Sequence, residues 1–298
     1  MLELSGADQA DLWRVGVAGD TLNTAWYLRR LLPEGFEVDY LTRLGTGPFS
    51  QRALDFMAAE GIATAHVTRD PAREIGLYAI TLTGGERSFS YWRDSSAARG
   101  LADDPAALRA ALADCDLAYL SGITLAILPE PGRAALLSAL ARARDAGCMV
   151  AFDPNLRPRL WQDEATMRDW VHRAASDADL VLPSFDDEAL HFGDADPDAT
   201  LARYLAQGAR QVVVKNGGGP IAFAGADGAG LVADLAPETP RDTTAAGDSF
   251  NAGYIAARLQ GLPPEDAIGQ AHDLSRRVIR HPGALVRQAF APEGARQR

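Results

Sequence analysis

Cysteine is almost absent: the 298 residues hold two, Cys115 and Cys148. Neither belongs to a CxxC pair or stands beside a histidine, so no zinc-site or disulfide-framework pattern is present. The expectation is two isolated, small apolar residues packed in a reducing compartment. The five histidines are scattered and form no ligand cluster. No apolar run approaches the roughly 20 residues needed to span a bilayer. The opening MLELSGADQADLW lacks the basic and apolar regions of a signal peptide. Together these absences predict a soluble protein of the cytoplasm with no membrane partner.

Basic charge is also scarce, with 29 Lys and Arg against 40 Asp and Glu and a formal net charge of −11. A general nucleic-acid or anionic-membrane binder needs a basic face, so both classes are disfavoured. A few arginines can still build a local site for an anionic substrate. Several chemistry-bearing motifs are missing as well. There is no G-x-x-x-x-G-K-[ST] and no G-x-G-x-x-G between a strand and a helix, which disfavours P-loop and dinucleotide-binding sites. HExxH and G-x-S-x-G are absent too, removing the commonest hydrolase readings. No internal repeat, low-complexity tract or long linker interrupts the chain.

What is present reads as one large α/β unit, with 47% of residues hydrophobic. Short apolar runs recur at VDYLTRLG (38–45), LAYLSG (117–122), MVAFDPN (149–155), LVLPS (180–184) and QVVVKNG (211–217). Amphipathic stretches separate them, among them FSQRALDFMAAEG (49–61), GRAALLSALARARDAG (132–147) and DATLARYLAQGA (198–209). Strands alternating with helices predict βαβ units and a mostly parallel sheet with helices on both faces. One segment breaks the rhythm: GLYAITLTGGERSFSYWR (76–93) predicts a β-hairpin turning at Thr83-Gly84-Gly85-Glu86. Its aromatics Tyr78, Phe89, Tyr91 and Trp92 can line a lid or serve as a packing surface. The terminal PEGARQR reads as a frayed tail.

The most informative stretch is DTTAAGDSF (242–250), followed by the helical pattern NAGYIAARLQG. Amides at a helix start lack partners within the helix and attract anions. Ala245, Ala246 and Gly247 would let a phosphate approach those amides, and Asp248 would stand beside it, able to accept a hydroxyl proton. The plain alternative is a helix cap, for which Asp and Thr are common. Lys215-Asn216-Gly217-Gly218-Gly219 ends a strand, as a ligand-facing loop or a flexible turn. Asn155 and Arg157 follow another strand's carboxyl end, where open α/β sheets bind ligands; Arg157 is either an anion clamp or a surface ion pair. Gly19-Asp20-Thr21-Leu22-Asn23 opens a helix as a cap or a polar pocket.

These pieces occur together, in this order, in one family. Over nearly its whole length the chain resembles the ribokinase-like (PfkB) carbohydrate kinases, whose D-T-x-G-A-G-D signature DTTAAGD matches except for Ala245 at the first glycine. AGDTLNTAWYLRRL, TRLGTGPFSQRALDFMAAEGI, GLYAITLTGGERSFSYWRDSSAA, YLSGITLAIL and DPNLRPRLW resemble the ketodeoxygluconate kinases within it. The resemblance implies a discontinuous main α/β domain over 19–74 and 95–298, and a small β lid over 1–18 and 75–94. It implies phosphorylation, by ATP with Mg2+, of the C6 hydroxyl of 2-dehydro-3-deoxy-D-gluconate. By the same resemblance Asp248 is the base, and the amides of Ala245, Ala246 and Gly247 form the anion hole. Gly19, Asn23, Tyr78, Tyr91, Arg93 and Arg157 hold the sugar acid, while Lys215, Gly217 and Gly219 lie along the nucleotide. Asp187, with Ser184, stands where the family has N-x-x-E, and would hold the metal through water. A homodimer through the lid is implied. A fructokinase or ribokinase of the same fold, or a non-catalytic sugar-binding relative, are the alternatives; paired pocket arginines favour an acid over a neutral sugar. Family members usually begin with a short apolar strand ending in Gly-Glu, and Met1-Leu2-Glu3-Leu4 matches the segment just after that strand. Without it, neighbouring ladder groups would lack partners. The segment RRVIRHPGALVRQ matches only loosely and contributes no site residue.

Overall fold

The computed structural model describes residues 1–6, 12–83 and 86–291. The chain opens with β1 (Leu2–Gly6), β2 (Trp13–Val17), α1 (Asp20–Leu31), β3 (Thr42–Gly45), α2 (Pro48–Ala59) and β4 (Val67–Asp70). A hairpin of β5 (Leu77–Thr83) and β6 (Glu86–Trp92) comes next, then α3 (Pro105–Leu112). The central run is β7 (Leu117–Ser121), α4 (Gly122–Ile127), α5 (Glu130–Asp145), β8 (Met149–Asp153), α6 (Glu164–Ser176) and β9 (Leu180–Val181). It ends with α7 (Phe185–Phe192), α8 (Pro197–Ala206), β10 (Gln211–Val214), β11 (Ile221–Gly225), β12 (Gly228–Val232), α9 (Ala246–Leu259) and α10 (Pro264–Ile279).

Six strands form the main sheet in the order β12-β11-β10-β9-β8-β7. β7 through β10 run parallel, and β11 and β12 close the far edge antiparallel. Alternating side chains leave the strands by opposite faces. Ala151, Leu180, Leu182 and Val213 join a core with α1, α9 and α10. Val150, Phe152, Val181, Val212 and Val214 join a second core with α3, α5, α6 and α8. The two-faced burial explains why these strands read as continuous apolar runs.

Helix α9 is packed closest. Against α10, a Cβ on Gly253 would lie 2.8 Å from the Ala271 Cα, so glycine is what the crossing admits. Gly261, at φ 85°, ends the helix in the left-handed region, with its amide on the Arg258 carbonyl and that of Leu262 on Ala257. Gly61 closes α2 in the same way.

A separate four-stranded sheet runs β2-β1-β5-β6, and β3 pairs only with β4. Tyr78 opposes Tyr91 and Ile80 opposes Phe89 across the hairpin. By the strand alternation Trp92 therefore points to the opposite face from Tyr91. The glycine turn expected at Gly84-Gly85 and the terminal PEGARQR lie outside the described residues.

Two expectations need correction. The run 38–45 is not one strand of the main sheet: only Thr42–Gly45 is regular, and Asp39 makes an isolated bridge to Ala63. β7 consequently has no strand on its outer edge among the described residues. A cavity of about 770 Å3 lies there, between Leu117–Leu120 on one side and Phe36–Leu41 on the other, with Leu28 of α1 and Leu136 of α5 also lining it. The second correction concerns the cysteines. They are not isolated from one another: Cys115 and Cys148, one just before β7 and one just before β8, hold their sulfurs 2.6 Å apart. A spacing of 33 residues hides a contact that one βαβ crossover creates.

Hydrogen exchange should register the open edge. The β7 amides pointing away from β8 should exchange well ahead of those in β8 and β10, which have neighbours on both sides. Equal protection across the three strands would show that the β7 edge is covered in solution.

Candidate active site

The chain reaches the site through a strained entry. Asp242, buried, accepts from the Thr244 amide and hydroxyl and from the Gly283 amide, fixing the loop before α9. Ala245 then adopts φ 60°, ψ 19° as the residue preceding the helix. A side chain in the left-handed region costs roughly 1–2 kcal/mol relative to glycine, and the geometry persists because the loop is pinned on both sides. Among the described residues the amides of Ala245 and Gly247 take no hydrogen-bond partner. That of Ala246 differs from expectation: it donates to the Thr243 carbonyl at 3.1 Å. The tight turn that sets Ala245 also closes that bond, leaving fewer donors free for an anion.

Asp248 stands in the first turn of α9 and takes 2.8 Å from the Asn23 amide nitrogen. Asn23 is held in turn, its side-chain oxygen accepting from the Gly19 amide at 3.2 Å. Two more carboxylates face the same point, the partly exposed Asp20 at the start of α1 and the buried Asp153 at the end of β8. Asp20 accepts from the Ser121 hydroxyl and, at 3.3 Å, from Asn155. Asp153 is paired with Lys215 at 3.1 Å and accepts from Asn251 at 2.7 Å. Burial, then repulsion from Asp20 and Asp153, pushes the Asp248 carboxyl up to about 8, against the pull of Asn23 and Lys215. Asp20 is raised too, mainly by burial. An aspartate tuned toward neutrality is a far stronger base than an ordinary one.

These groups open on a cavity of about 430 Å3. Gly19, Asn23, Tyr78, Tyr91, Arg93, Arg157, Asp187, Lys215 and Ala245 through Asp248 all line it. Tyr78 donates to Glu3 of β1, and Arg93 stacks 4.3 Å above the Tyr91 ring. Arg157, half-exposed, is paired with Asp187 at 3.2 Å, which joins a candidate anion clamp to the candidate metal contact. Gly217 and Gly219 do not line the cavity; they belong to the turn after β10, where Gly219 donates to the Asn216 carbonyl at 2.7 Å. Lys215 lies deeper than a surface nucleotide contact would, buried beneath α9 and 3.0 Å from Asn251. Among the described residues no group of three or more His, Cys, Asp or Glu side chains could hold a metal ion.

Sequence reasoning missed Asp20, Asp153, Ser121 and Asn251 as members of the site. The signal for two of them was present: Asp20 within GDTLN, and Asp153 at the carboxyl end of a strand in FDPN. Asn155 in that same string adopts φ 35°, turning its amide onto Asp153 at 3.1 Å.

Free amides at a helix start, a raised carboxyl beside them and a cavity at the carboxyl ends of parallel strands suit phosphoryl transfer to a hydroxyl, which asks for positioning and charge stabilisation. Such a fold and site define a ribokinase-like sugar kinase. The family model for the pfkB family carbohydrate kinases matches residues 4–288, and the chain belongs to that family. It is 40% identical to the 2-dehydro-3-deoxygluconokinase of Dickeya dadantii, covering 96% of this chain and 94% of that one. The PfkB protein from Polaromonas sp. JS666 superposes with a TM-score of 0.83 at 31% identity, over 95% of each chain. An Escherichia coli protein described as a Ribokinase II, solved with ATP and Mg2+, shares the fold at a TM-score of 0.81 and 23% identity, over 95% of this chain and 91% of that one.

The raised Asp248 carboxyl predicts a pH signature in stability. Its proton is kept in the folded state up to about pH 8 but lost near 3.8 in the unfolded chain. Between those values the folded state binds more protons, so this group's contribution falls as pH rises and levels off above 8. Asp248→Asn should therefore raise Tm increasingly from pH 4 to 8 relative to the parent. A Tm difference constant with pH would refute the shift.

Proposed function

We propose that this kinase transfers the γ-phosphoryl group of ATP to the C6 hydroxyl of 2-dehydro-3-deoxy-D-gluconate, giving 2-dehydro-3-deoxy-6-phosphogluconate. The observation that carries it is the raised Asp248 carboxyl, lining the cavity beside the free amides of Ala245 and Gly247. In this reading Asp248 accepts the C6 hydroxyl proton as the oxygen attacks phosphorus. The Ala245 and Gly247 amides stabilise charge on the moving phosphoryl oxygens, and Ala246 joins them once its bond to Thr243 opens. Lys215 contributes positive charge from beneath Gly247, whose Cβ position lies 3.6 Å from its Nζ. Magnesium arrives with ATP, and the nucleotide extends over the turn bearing Gly217 and Gly219.

The substrate's charge supports the acid-sugar reading. Arg93 and Arg157 both line the cavity, and a neutral sugar gives them no carboxylate to pair with. When the sugar acid binds, its carboxylate takes the place of Asp187 on Arg157, leaving Asp187 to hold a metal-bound water. Gly19, Asn23, Tyr78 and Tyr91 orient the hydroxyls. The main domain over 19–74 and 95–298 carries the chemistry, and the β sheet from 1–18 and 75–94 closes over the sugar to keep water from the phosphoryl group. Exposed Trp13 and Trp92, on the face of that sheet turned away from Tyr91 and the cavity, suit coverage by a second copy, as a homodimer.

A coupled ATP-to-ADP assay tests this directly. Turnover is expected with 2-dehydro-3-deoxy-D-gluconate and roughly 10²-fold or more below that with fructose or ribose. Asp248→Asn should cut kcat by about 10²-fold or more. Arg157→Ala should raise the KM for the acid sugar roughly 10- to 100-fold, as a lost charge-assisted contact of about 1.5–3 kcal/mol requires. Preference for a neutral sugar, or an Arg157→Ala variant with unaltered KM, would overturn the assignment.

A further inference from the structure

The two cysteines lie outside the catalytic cavity, and neither the family membership nor the proposed chemistry uses them. Cys115 sits in the loop between α3 and β7, and Cys148 in the loop between α5 and β8. β7 and β8 are neighbouring parallel strands, with Leu117 opposite Met149. The Met149 amide donates to the Asp116 carbonyl at 2.8 Å, so the ladder extends to the residues beside both cysteines. This register holds the two side chains together, with sulfurs 2.6 Å apart and Cys115 Sγ also 3.3 Å from the Leu112 carbonyl. Strands β7 and β8 begin within two residues of each cysteine, so the parallel register that pairs the strands also brings the two sulfurs together.

The two thiols differ in access. Cys148 is buried, whereas Cys115 is partly exposed and lines the cavity along the open edge of β7. Burial, and then the neighbouring Cys115, pushes the Cys148 thiol up to about 12. A small oxidant thus reaches Cys115 first, and Cys148 acts second.

We propose that Cys115 and Cys148 form a reversible intramolecular disulfide that staples edge strand β7 to β8 under oxidising conditions. With a small disulfide RSSR as the oxidant, the Cys115 thiolate attacks one sulfur, forming a Cys115–SR mixed disulfide and releasing RS−, which takes up the proton Cys115 gave up. Cys148, surrendering its own proton, then attacks the Cys115 sulfur and expels the second RS−, which is protonated in turn. The protein loses two thiol protons and two electrons, and RSSR becomes two RSH. A dithiol reverses both steps.

The consequence depends on the position of β7. Among the described residues it has a ladder partner on one side only, and it carries Tyr119 and Ser121 toward the site. A bond closing a loop of 33 residues restricts the unfolded chain and secures that edge. The cysteines stand at the amino ends of the strands, away from Asp153 and Asp248 at the opposite end.

The test uses the full chain treated with oxidised glutathione, then with dithiothreitol. Thiol titration should fall from two groups to none, with the mass lower by about two hydrogens and a Cys115–Cys148 peptide in the digest. Tm should rise by roughly 5–10 °C on oxidation and return on reduction. Cys115→Ser and Cys148→Ser should each abolish the rise. A product that stops at a glutathione adduct, links two chains, or keeps both thiols free would overturn the proposal. So would a cross-link that forms without changing Tm.

Discussion

The site is organised around the mutual repulsion of three carboxylates crowded at one cavity, Asp153 buried and Asp20 and Asp248 partly exposed. Asp20, Asp153 and Asp248 arrive from α1, β8 and α9, and no single element could gather them. Burying unpaired carboxylates is expensive, so each must find donors. Ser121 and Asn155 serve Asp20, Asn23 serves Asp248, and Lys215 with Asn251 serves Asp153. Those donors come from the ends of β7, β8 and β10 and from two helices, so satisfying the acids ties β7, β8, β10, α1 and α9 together at the cavity. With one lysine among three acids, burial and mutual repulsion raise both Asp20 and Asp248, so part of the excess negative charge is relieved by protonation.

That arrangement is also suited to the reaction. A carboxyl whose pKa is raised is a stronger base once ionised, so Asp248 accepts the hydroxyl proton only after its own proton has left. The strained Ala245 turn and the unpartnered amides stand one helical turn or less away, aimed into the same space. Arg157 and Asp187 satisfy each other while the cavity is open, and a substrate acid can take the place of one of them. The ligand-free site thus keeps its exposed charges paired until the substrate supplies better partners.

The parts of this legible in the sequence were the local ones. DTTAAGD showed the helix start, its small residues and its acid, because those functions are read by neighbours in the chain. The strands β7, β8 and β10 were visible as apolar runs, since both sheet faces are buried. What was hidden depended on distant pairings. Nothing near Lys215 reveals that it points under α9 toward Asp153, so a nucleotide contact looked natural there. Segment 38–45 has strand character throughout, yet only its second half is a regular strand, the first half making a single bridge to Ala63. Cys115 and Cys148 looked unrelated because α5 separates them in the chain while the parallel register joins them in space. The loss of the Ala246 amide to Thr243 comes from a backbone turn that composition does not encode.

The carboxylate cluster should raise the Asp248 carboxyl in the ligand-free protein, and the strength of that group as a base depends on the shift. Carbon-13 labelling of aspartate carboxyls, with the Asp248 signal assigned by its loss in Asp248→Asn, measures this directly by NMR titration. A midpoint near pH 8, falling when Asp20→Asn removes one repelling neighbour, is the result expected. A midpoint near 4, unchanged by that substitution, would contradict the account.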